Sequence, residues 1–152
     1  MKNFIPSIGT IIGFVLSCVF LTFCLVVTST QFALGALIDI GVDISFATRL
    51  QTTVHDLQSM SPLVGVIFSL GLLIAFTVGS YISRLVGILP AVVFALAGFA
   101  SIAVTTKGLN SVLDITVIVA TRQWDGYLAF CLIGALSGYV FQRLSARFSP
   151  AV

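Results

Sequence analysis

Apolar residues recur in four long runs, separated by stretches that carry nearly all of the charge. The runs cover residues 8–27, 63–82, 86–104 and 125–142, and the last is completed by its less apolar flanks. A helix needs roughly 20 residues to cross a hydrocarbon core of ~30 Å. Because lipid cannot pair with backbone polar groups, such spanning runs are helices. The pattern predicts an all-α membrane protein with four transmembrane helices in a single domain, residues 1–152.

The distribution of charge predicts how the chain is threaded through the membrane. Four basic residues and no acid lie in the termini and in the short loop between the second and third runs: Lys2, Arg84, Arg143 and Arg147. The two longer loops, 29–62 and 105–124, hold or border all five aspartates. Loops rich in Lys and Arg stay in the cytoplasm. We therefore expect an antiparallel bundle with both termini in the cytoplasm and both longer loops outside.

Residues 38–46, IDIGVDISF, alternate apolar and polar side chains for nine positions. This period of two is typical of a half-buried strand. The second outer loop contains a further β-branched run, ITVIVAT, at residues 115–121. We expect two extended segments on the outer face, either paired as a small ribbon or lying unpaired at the interface.

After Ser45 the period changes to that of a helix. Four apolar residues recur at helical spacing: Phe46, Leu50, Val54 and Leu57. They predict a short outer amphipathic helix over residues 46–59, capped by Ser45 or Asp43 and lying flat on the membrane surface. Ser61 and Pro62 are typical of a helix start, so the second span is expected to begin separately there.

Composition narrows the classes of partner. The chain is 59% apolar and only 8% charged, whereas soluble domains carry roughly 25% charged residues. A net charge of +2 without a basic cluster argues against nucleic acid. No span has an ionisable residue near its centre, although ion-coupled transporters and proton relays usually need one. Membrane lipid, a larger membrane protein or a second copy of the chain remain as expected partners.

Two polar groups at the outer ends of the spans are candidate contact sites: Arg49, His55 and Asp56 in the first loop, and Arg122, Trp124 and Asp125 before the fourth run. The first group can be interpreted in two ways. It binds a phosphate or carboxylate group of a lipid or partner, or it is the solvent-exposed face of the amphipathic helix. The second is either such a contact or an interfacial anchor. A single histidine cannot form a bis-histidine haem site or a conventional zinc site alone, so we expect no catalytic residue, metal ion or cofactor.

Small residues four positions apart occur in two spans. They form GTIIG at 9–13 and GALSG at 134–138, in which Gly9, Gly13, Gly134 and Gly138 let helix backbones approach closely. We expect them to pack the first span on the fourth, with self-association or docking on a larger subunit as the alternative. Cys24 and Cys131 are expected at similar depth, either bonded or as buried thiols.

Three segments resemble small four-span inner-membrane proteins of proteobacteria: HDLQSMSPL at 55–63, GLLIAF at 71–76 and TRQWDGYLAFCLIGALSGYVFQRL at 121–144. The resemblance covers most of the chain as a layout. It implies a bacterial inner membrane, but no activity and no functional residue. The layout is also similar to that of claudin-type proteins, whose tryptophan and cysteine signature is missing from 29–62.

The small soluble surface and the charge-free spans favour a non-enzymatic accessory or interaction subunit of an inner-membrane complex. The alternative is a homo-oligomeric channel or facilitator for a small neutral solute or lipid, with a pore lined by Ser and Thr residues of the spans. A third hypothesis is a membrane enzyme that acts at the level of the headgroups through Arg49, His55 and Asp56.

Overall fold

The computed structural model describes residues 8–86, 89–113 and 124–148. These residues form four α-helices: α1, Ile8–Asp39; α2, Phe46–Val86; α3, Pro90–Leu113; and α4, Trp124–Phe148. All four are long and apolar enough to cross a membrane. The prediction of a helical protein with four membrane-spanning helices is therefore confirmed at this level.

The first helix runs well beyond its predicted end and finishes in a tight turn. At Gly41, whose φ is 88°, the backbone N–H donates to Ile38 O at 2.8 Å, and the N–H of Val42 donates to Leu37 O at 3.2 Å. Two such bonds around a left-handed glycine make a Schellman motif. The strand predicted over residues 38–46 is therefore wrong, because Gly41 ends a helix instead of interrupting a strand. The second predicted extended segment, 115–121, lies outside the described residues.

The second helix joins two predicted elements into one. The Oγ of Ser45 accepts a hydrogen bond from the N–H of Thr48 at 3.2 Å, so Ser45 caps the helix as predicted. Residues 46–59 are helical, also as predicted, but the helix continues through Pro62 to Val86. The separate start at Ser61 is wrong, because membrane helices tolerate an internal proline when its neighbours keep helical backbone. The outer helix is thus a continuation of the second span instead of a separate helix.

The third helix starts at its proline. The carbonyl of Leu89 accepts from Val92 N at 2.9 Å and from Val93 N at 3.4 Å, which places Pro90 in the first turn, where its missing N–H costs nothing. The predicted start of this span at residue 86 was too early. The predicted fourth span, 125–142, lies within α4.

The helices pack side by side, with α1 and α3 each contacting both α2 and α4. One phenylalanine from each helix meets in the core: Phe14, Phe76, Phe94 and Phe141. The rings of Phe76 and Phe141 stack with centroids 4.4 Å apart, and Phe94 approaches both of these rings edge-on at 5.7 and 5.2 Å. Such aromatic pairs stabilise a core beyond the area they bury. This cluster fixes the relative height of the four helices.

Candidate functional site

The first candidate group does not converge on one point. Asp56 is half-buried and faces α1, where Thr30 Oγ1 lies 2.8 Å from Asp56 Oδ2 and 3.0 Å from Val26 O. Arg49 precedes Asp56 by two helical turns on the same side of α2 and is half-buried, whereas His55 is exposed. The carboxylate of Asp56 therefore serves the α1–α2 contact, and the imidazole lies away from it.

A second polar link joins the same two helices. Gln31 Nε2 donates to Thr53 Oγ1 at 3.3 Å, and Thr53 Oγ1 donates to the carbonyl of Arg49 at 2.7 Å. Sequence reasoning missed Thr30, Gln31 and Thr53, since residues 29–45 were expected to be loop. The signal that could have found these three residues is the pair of polar segments at 28–31 and 52–56. It becomes readable only once α1 is known to continue to Asp39, because the two segments then lie on neighbouring helices.

The second candidate group stands at the start of α4. Trp124 is 78% exposed, and its ring meets that of Tyr127 edge-on with centroids 6.3 Å apart. Lys107, on α3, places its Nζ 6.0 Å from the centroid of the Tyr127 ring, within range of a cation–π contact. Asp125 is exposed in the first turn, where an acid complements the helix dipole. Arg122 lies outside the described residues.

The opposite end of α4 carries a similar pair that sequence reasoning did not single out. Arg143 Nε donates to Tyr139 Oη at 2.8 Å, and the guanidinium carbon lies 5.2 Å from the centroid of the tyrosine ring. The spacing of four residues on one helix brings the two side chains together. A tyrosine paired with a cation therefore stands near each end of α4.

The glycines of the two motifs face different helices. Gly9 and Gly13 lie against Phe148 and Ser145 of α4, as expected. Gly134 and Gly138 instead lie against Gly98 and Phe94 of α3. The expected packing of the first span on the fourth therefore holds for the glycines of α1, whereas those of α4 pack on the third span. Sequence reasoning missed Gly98, because one sequence does not show which helix pairs with which.

Two serines form hydrogen bonds across the α1–α4 contact. Ser17 Oγ donates to Ser137 O at 2.8 Å, and Ser137 Oγ donates to Ser17 O at 3.1 Å. Both side chains are fully buried. Sequence reasoning did not single out Ser17, and it included Ser137 only within the motif GALSG at 134–138.

The three cysteines are free thiols, with Cys18 and Cys131 buried and Cys24 half-buried. The bond between Cys24 and Cys131, left open by the sequence, is therefore not formed. Within residues 8–86, 89–113 and 124–148, no group of three or more His, Cys, Asp or Glu side chains is placed to hold a metal ion.

Comparison of the chain with protein-family models, with curated proteins and with solved structures returned no match. The resemblance to four-span proteins of proteobacteria remains a prediction.

Proposed function

We propose that this chain is a non-enzymatic accessory or interaction subunit of a bacterial inner-membrane complex. It is inserted as an antiparallel four-helix bundle with both termini in the cytoplasm. The observation that carries the proposal is the packing of the interior. Phenylalanines from all four helices pack together in an apolar core, and the buried hydroxyls of Ser17 and Ser137 bond across α1 and α4. The interior is thus committed to packing, and the surface is left for function.

The cation and tyrosine pairs on α4 support a position in the bilayer. Trp124 and Arg143 are 19 positions apart, which is about 28 Å along a helix and close to the hydrocarbon thickness of ~30 Å. Trp, Tyr and basic side chains favour the two membrane interfaces. We therefore place one boundary near Trp124 and the other near Arg143.

The order of contacts supports an alternating arrangement of the helices. Gly9, Gly13 and Ser17 follow one another along α1, and they contact Phe148, Ser145 and Ser137 of α4 in that order. Residue numbers rise along α1 and fall along α4, so the two helices are antiparallel. The basic residues of the termini and of the short loop then fall on one side, which supports a cytoplasmic location for both termini. A reporter fused after Val152 that proved to be exported would contradict this topology.

The channel alternative has less support. Ser17 and Ser137 are buried against each other, and Ser101 is 7% exposed. Thr77 is exposed, but its hydroxyl donates to the carbonyl of Leu73 on its own helix at 2.7 Å. A pore lined by the serines would require the bundle to open. An increase in solute flux into liposomes after addition of the purified chain would revive this alternative.

The proposal is tested by purifying the full-length chain in a mild detergent and measuring the mass of the intact complex. We expect a complex that contains this chain and a different, larger membrane protein at fixed stoichiometry. A lone chain would contradict the accessory role, and a homo-oligomer would favour the channel. Replacing Arg49, His55 and Asp56 together by alanine tests the enzyme hypothesis, because function retained in this variant would contradict a catalytic role for these residues.

A further inference from the structure

We draw no further inference here: the strongest candidate, the exposed apolar surface patch that Phe46, Leu50 and Val54 form at the start of α2, supports no proposal because nothing in the structure shows what covers it.

Discussion

Ser17 on α1 and Ser137 on α4 lie 120 positions apart in the chain, and their hydroxyl oxygens are 2.7 Å apart. Each hydroxyl also lies within hydrogen-bonding distance of the other residue's carbonyl. The pair is fully buried, so no water competes for these groups. Small side chains let the two backbones come this close, and the hydroxyls then bond across the gap.

Replacing either serine by alanine should lower the stability of the bundle, since the remaining hydroxyl loses one partner. We expect a loss of about 0.5–1.5 kcal/mol for Ser17→Ala or Ser137→Ala. The double variant should lose less than the sum of the two single losses. Unfolding in mixed detergent micelles measures these values. Thr77→Ala is the control, because its exposed hydroxyl bonds only within its own helix; strictly additive losses would argue against the pairing.

Glycine-to-alanine substitutions should have opposite effects at two positions. A Cβ at Gly138 would collide with the carbonyl of Phe94 on α3, whereas a Cβ at Gly35 meets nothing within 4 Å. We expect Gly138→Ala to destabilise the bundle by about 2 kcal/mol or more. Gly35→Ala should be neutral or stabilising by up to about 1 kcal/mol, because alanine is the better helix former. Equal effects in the same unfolding assay would contradict the close α3–α4 crossing.

The turn at the end of α1 depends on the positive φ of Gly41. An L side chain in this conformation costs roughly 1–2 kcal/mol. Gly41→Ala should therefore accelerate amide hydrogen exchange at Val42, whose N–H bonds to Leu37 O. Gly41→Asn should have a smaller effect, since asparagine adopts this conformation more readily. Unchanged exchange at Val42 in the alanine variant would refute the Schellman motif.

The hydrogen bond between Thr30 and Asp56 should hold the end of α1 against the start of α2. Thr30→Val removes the donor to Asp56 Oδ2, so we expect faster hydrogen exchange over residues 46–56 with little change in the core. Asp56→Asn keeps an acceptor oxygen and should have a weaker effect. Ser59→Ala is the matched control, because its exposed hydroxyl donates to His55 O of the same helix. Equal exchange in the valine and control variants would show that the link contributes nothing.

The sequence was sufficient to find the four spans and the cap at Ser45, because both depend on local signals. Long apolar runs specify membrane helices, and a serine before an amphipathic stretch specifies a helix start. The ends of the helices were harder to predict. The alternation around Gly41 fits a strand as well as it fits a helix end, and the choice depends on whether the preceding polar residues, Thr28 to Gln31, find partners on another helix.

A single sequence could not predict which helix faces contact each other. Gly134 and Gly138 have the spacing of a packing motif, but nothing local says that they face Gly98 on α3 instead of Gly13 on α1. The same holds for Asp56, which looked like part of a surface cluster with His55. Its half-buried position follows from the length of α1, which is a tertiary fact. The prediction that α2 breaks at Pro62 failed because the preference of proline for helix starts is a tendency that packing overrides.

The proline inside α2 has a mechanical consequence. Pro62 lacks a backbone N–H, so α2 loses one hydrogen bond near its middle. Bending of a long helix concentrates where such a bond is missing. Asp56, which precedes the proline, is bonded to Thr30 of α1, so a bend at Pro62 would carry the end of α1 along with the start of α2.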